Sequence, residues 1–142
     1  MSDDLSRILA KLNKFGVETE KAINDTVKII AHRVENTAKE SIREPSQGRT
    51  YVKKTKSGRK KKHTASKPGD APNVDEGRLI GSIKSIHNPA TFTSSVGTPL
   101  PYGAKLELEM NRPWLEPALN EHKDDYHKQL EKVVDKQIRE LV

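Results

Sequence analysis

Apolar residues recur at helical spacing from Leu5 to Ala38 and again from Leu115 to Leu141, which leaves only the middle of the chain for anything but helix. Leu5, Ile8, Leu9 and Leu12 stand at i, i+3, i+4 and i+7, with Ser2 or Asp3 available as N-cap. Gly16 predicts a break or kink. Beyond it the stripe resumes through Ala22, Ile23, Val27, Ile30, Ala31, Val34 and Ala38, with charge on the opposite face, and Pro45 supplies the stop. The pattern predicts a short helix followed by a long one. At the other end, Arg112-Pro113-Trp114-Leu115-Glu116-Pro117 predicts a helix start, because first-turn amides lack helical partners and tolerate proline. Leu115, Leu119, Tyr126, Leu130, Val133, Val134, Ile138 and Leu141 then mark one face.

The middle reads differently. Asp75-Glu76-Gly77-Arg78-Leu79 predicts a brief helix capped by Asp75, kept short by Gly81. Ser82 to His87 alternates like a strand, Asn88-Pro89 is a turn, and Thr91 to Val96 has the β-branched look of its partner, closed by Gly97-Thr98-Pro99. Tyr102 to Glu109 fits a short helix or a strand equally well. The expected class is α+β: a long N-terminal helix, an extended basic arm or hairpin, a small antiparallel sheet and a long C-terminal helix. Residues 1–142 form one domain, with residues 45–73 as a protruding arm within it.

Only 32% of the residues are hydrophobic and 4% aromatic, so the core is modest and some surface is expected to need a partner. Without cysteine there are no disulfides and no thiolate chemistry. No apolar run approaches the roughly 20 residues that cross a bilayer, and Met1-Ser2-Asp3-Asp4 is acidic where a signal peptide is basic. A soluble chain made in the cytoplasm, with no membrane partner, is the expectation.

The net charge of +6 is concentrated in one place. Between Pro45 and Gly69 lie Arg49, Lys53, Lys54, Lys56, Arg59, Lys60, Lys61, Lys62 and Lys67, with no acid; the remainder has 17 bases against 20 acids, a net −3. Thr50-Tyr51-Val52 and His63-Thr64-Ala65 form either two short strands turning near Lys56-Ser57-Gly58 or a solvated loop. Nine cations suit three roles: contact with a phosphate backbone, docking on an acidic patch of a neighbouring subunit, or simple solubilisation. Tyr51 and His63 could stack on a base, but aromatics are too sparse for base-specific reading.

Catalytic chemistry has little to stand on. Glu121, His122 and Asp125 lie close along the C-terminal helix, yet neither a third imidazole nor a Glu-x-x-His pair joins them, and a solvated polar face is the better reading. No phosphate-cradling glycine loop, nucleophile elbow or paired-acid motif occurs. The expectation is a non-enzyme that holds neither cofactor nor metal.

Three stretches in order carry a resemblance. Pro68-Gly69-Asp70-Ala71-Pro72 runs into Asp75-Glu76-Gly77-Arg78-Leu79 and Ser82-Ile83; next come Val96-Gly97-Thr98, Tyr102-Gly103-Ala104 and Leu106-Glu107; then Arg112-Pro113-Trp114-Leu115-Glu116-Pro117-Ala118-Leu119. Set between two long helices, they resemble the neck, head–tail joining or tail-completion proteins of tailed bacteriophages. One departure is clear: Leu108-Glu109-Met110-Asn111 leads directly into Arg112, where the family commonly has an aromatic and Glu-x-Gly-Thr before a loop.

The resemblance implies a structural virion component: a ring of six or twelve copies joining head to tail around the DNA channel. Head-completion or portal-side proteins and tail-side proteins would be its neighbours, with non-specific contact to genomic DNA. Its place would be the virion neck, reached from the host cytoplasm during assembly. A small basic nucleic-acid-binding protein outside the virion and a terminator capping the tail tube are the alternatives. Pro72, Gly77, Leu79, Ser82, Ile83, Tyr102, Arg112, Pro113, Trp114, Pro117 and Ala118 would serve as scaffold. In that scaffold Gly77 permits close backbone packing, Leu79 and Ile83 enter the core, Arg112 and Pro113 set the approach to the last helix, and Trp114 contributes about 150–250 Å² of mostly apolar surface.

Overall fold

The computed structural model describes residues 2–44, 46, 48, 50–54, 56–74 and 77–141, with nothing said of the side chains of Ser2 and Lys53. Helix α1 (Ser2–Arg43) is followed by strands β1 (Thr50–Lys54) and β2 (Lys60–Thr64), the short helix α2 (Arg78–Ser82), strands β3 (Lys84–Asn88) and β4 (Thr93–Gly97), and helices α3 (Pro101–Leu108) and α4 (Glu116–Leu141). The fold is α+β, as the periodicities predict. Its strands form two separate antiparallel pairs, β1–β2 and β3–β4. Pro45 as a helix stop and Asp75 as a cap lie outside the described residues.

The expected break at Gly16 does not occur: α1 is one helix of 42 residues, about 63 Å long at 1.5 Å per residue. A helical glycine costs only about 1 kcal/mol relative to alanine. Contact with α4 carries the helix through this cost: Phe15 is half-buried beside Gln137 and Leu141 at the end of α4, and Thr19 is half-buried one turn further on. The two helices run antiparallel. Arg33 pairs with Asp125 at 3.1 Å and Thr37 meets His122 at 2.7 Å, while Lys11 to Glu18 lie beside Gln137 to Leu141. The first turns of α1 therefore project past Leu141.

The core sits at the other end of α1. Val34, Ala38 and Ile42 pack with Leu79 of α2, Ile83 just after it, Leu106 of α3, Trp114 between α3 and α4, and Ala118 of α4. Along α4 only Ala118 is fully buried; Leu119 and Ile138 are exposed, so its apolar stripe is only half used.

Polar ties attach the β3–β4 hairpin to α1. The Glu35 carboxylate accepts from Lys39 Nζ at 2.7 Å and from the Ser85 backbone N–H at 3.1 Å, and the His32 ring lies 3.5 Å away. The Lys39 hydrogen bond, helped by Ser85 and His32 and opposed by burial, holds this carboxyl down at about 2. At the far end, His87 bridges Asn24 Oδ1 at 2.9 Å and Ser94 Oγ at 2.7 Å.

The last helix begins at Glu116, four residues later than Arg112. The reason is a side chain from α3. Glu107 accepts the backbone N–H groups of Trp114 (2.6 Å), Leu115 (3.0 Å) and Glu116 (3.0 Å), satisfying amides that have no helical partner. Trp114 is 2% exposed, and its indole N–H donates to the Gly103 carbonyl at 2.9 Å. A Cβ on Gly103 would collide with the Thr98 methyl and press on Leu79, so glycine here permits the close approach of α3 to the core.

Candidate polyanion-binding hairpin

Strands β1 and β2 settle the open question about the basic segment: it is a hairpin. The register pairs Thr50 with Thr64, Tyr51 with His63, Val52 with Lys62, Lys53 with Lys61 and Lys54 with Lys60. Gly58 takes the left-handed conformation (φ 82°) in the turn, where an L side chain would be strained. The two threonine hydroxyls at the root lie 2.9 Å apart.

The register has an electrostatic consequence. Two successive cross-strand positions, Lys53 opposite Lys61 and Lys54 opposite Lys60, oppose cation to cation, an arrangement that destabilises a ladder. Because strand side chains alternate, Lys54, Lys60 and Lys62 share one face, whereas Lys61 lies on the other with Tyr51 and His63. Lys54, Lys56, Arg59, Lys60, Lys61, Lys62 and Lys67 are all exposed. Arg49 lies outside the described residues, and for Lys53 only the backbone is placed. A two-stranded ribbon with cations on both faces is stabilised by whatever brings negative charge to it.

The root of this ribbon is held firmly. Asn73 donates through Nδ2 to the carbonyls of both Ser46 and Thr64, each at 2.7 Å, and accepts the Ser46 N–H at 2.8 Å. One amide thus joins the chain entering the hairpin to the strand leaving it. Ser46 Oγ donates to Asp70 at 2.8 Å and accepts the Lys67 N–H at 3.0 Å. Gly48 runs so close to the Ala65 and Ser66 carbonyls that no side chain fits there. Gly69 N–H then reaches the Asn111 carbonyl at 2.7 Å, tying the turn after the hairpin to the loop before Arg112. Gly69 and Asp70 lie within the first of the three motifs, but Asn73 at the centre of the clamp carries no signal in the sequence, since its partners lie 9 and 27 residues away.

The expected scaffold residues divide. Leu79, Ile83, Trp114, Ala118 and Pro72 are buried. Ser82 Oγ donates to the Leu79 carbonyl and meets Thr98 Oγ1 at 2.6 Å, holding the end of α2 against the residue that follows β4. Arg112 braces its own loop through the Met110 carbonyl at 2.8 Å, and Pro113 is half-buried beside it. Gly77 departs from its expected role: it has open space around it but takes φ 73° as the N-cap of α2, so conformation rather than close packing requires glycine. Tyr102 and Pro117 are exposed, Tyr102 by 55%, and contribute little to the core.

His122 and Asp125 are engaged in tying α4 to α1 through Thr37 and Arg33. Among the described residues no group of three or more His, Asp or Glu side chains is placed to hold a metal ion, and no helix is long and apolar enough to cross a membrane. Comparison with protein-family models, curated proteins and solved structures finds no match to this chain.

Proposed function

We propose that this chain is a structural, non-enzymatic subunit of a tailed-phage neck, assembling as a ring around the DNA channel with the β1–β2 hairpin turned toward DNA. The observation that carries the reading is the hairpin itself: exposed cations on both faces, like charges opposed across its strands, on a root fixed by Asn73. Phosphates relieve that repulsion wherever they arrive from, without any base being read. The motifs from Pro72 to Ala118 support the neck assignment through the resemblance they carry. A ring of six or twelve, with portal-side and tail-side neighbours, follows from that resemblance.

Lysine suits a channel lining, because a strongly hydrated point charge on a flexible stem holds phosphate less specifically than an arginine fork does. Contact with about five phosphates makes log K fall against log salt with a slope of about −4 to −5. Changing Lys60, Lys61 and Lys62 to Ser should leave assembly intact, weaken duplex binding at low salt and reduce that slope by about 2 to 3. Unchanged affinity at low salt removes the DNA role. Tight binding by the isolated chain, with no ring under any condition, favours a nucleic-acid-binding protein outside the virion instead.

A further inference from the structure

Among the described residues, two of the uncovered apolar surfaces are a ridge and a groove. On the turns of α1 that project past Leu141, Leu5, Ile8, Leu9 and Leu12 are 60%, 55%, 52% and 50% exposed, all on one face. The groove, of about 490 Å³, lies between α1, α4 and the β3–β4 hairpin, with Val27, Ile30 and Val34 in its floor and Phe92, Leu119 and Tyr126 among its walls. Phe92 is held there at φ 54°, a conformation that bulky side chains rarely adopt and that the chain maintains while leaving the ring partly exposed.

We infer that the ridge of one copy docks in the groove of the next, giving a head-to-tail contact between copies of this chain. The i, i+3, i+4, i+7 spacing of the ridge is the pattern by which a helix fills an apolar groove. A chain cannot satisfy its own groove in this way. Ile8 and Ile30 lie on the same uninterrupted helix, about 33 Å apart at 1.5 Å per residue, so the ridge cannot fold back to reach the groove.

The apolar spacing, rather than net charge, selects this occupant, since Arg7 and Lys11 on the ridge's turns balance Asp3 and Asp4. One charged pair can still meet across the contact: Asp4 stands at the edge of the ridge, and Lys123 lines a groove whose lining holds no acidic residue. Because ridge and groove are different surfaces, the contact leaves one of each open on every pair and propagates until it closes. The neck reading is needed only for that closure to be a ring rather than a filament.

The chain has no cysteine, so single thiols can report the contact. Ile8→Cys and Leu119→Cys proteins, mixed and treated with a flexible bismaleimide, should give a product of twice the 16.0 kDa chain. Neither alone should do so, and the double variant should give a ladder. Asp4→Lys should lower the mixed yield several-fold, and Lys123→Glu in the groove partner should restore it. Ile8→Cys joining to itself would overturn the inference, because the ridge would then pair with a second ridge. A mixed yield no greater than that of Lys14→Cys, on the opposite face of α1, would overturn it as well. Rings seen in the microscope despite that result would leave the neck reading standing and this contact refuted; neither rings nor cross-links would refute both.

Discussion

Replacing Glu35 with Gln removes a carboxylate that joins α1 to β3, and the size of the effect follows from its surroundings. In the folded chain Glu35 stays ionised down to about 2, against an ordinary value of 4.5, with the Lys39 hydrogen bond the largest cause. The unfolded chain therefore binds this proton first as pH falls. The stabilisation is complete above about pH 5, is lost between about 4.5 and 2, and is absent below both values. At 1.36 kcal/mol per pH unit the gap corresponds to about 3 kcal/mol. Solvent reaching Lys39, which is 22% exposed, reduces that to roughly 2 kcal/mol. Urea unfolding of both proteins from pH 7 to pH 2 measures the difference directly, since the two chains differ only at this side chain. The Glu35→Gln protein should be less stable by about 2 kcal/mol at neutral pH, with the curves converging in acid. A constant offset across the whole range, or none at pH 7, would refute the reasoning.

Glu107→Ala leaves the amides of Trp114, Leu115 and Glu116 without their acceptor and should cost about 1–3 kcal/mol in chemical denaturation. The single Trp makes its fluorescence a local reporter, and an unshifted spectrum with unchanged stability would show that the cap contributes nothing. Gly16→Ala should raise stability by roughly 0.5–1 kcal/mol, because the position is helical with open space around it. A loss of stability there would mean that α1 bends at Gly16 in solution.

The two long helices and the β3–β4 hairpin were legible because each rests on local periodicity: apolar spacing near 3.6 in the helices and alternation around Asn88-Pro89 in the hairpin. Gly16 does not break the helix, since intrinsic propensity is a weak force beside the contact of Phe15 with the end of α4. The start of α4 is legible only as the stretch Arg112 to Pro117, within which the helix begins at Glu116. Pro113 and Pro117 marked the region, but Glu107 fixes the first turn from another helix, and no short-range pattern reveals a cap that arrives in space. In the candidate site the nine cations were visible at once, while their rooting was not. Asn73 reaches across 27 residues to Ser46, and Gly48 is required only by carbonyls that fold next to it.

Cryo-electron microscopy of intact particles, with the chain located and its copies counted, decides whether the neck assignment holds. A closed ring of six or twelve at the head–tail junction, with the Lys54–Lys60 end of the hairpin facing the DNA, is the expected result. Purified mature particles that lack the chain, or that carry it only on the outside of the tail, would contradict the account.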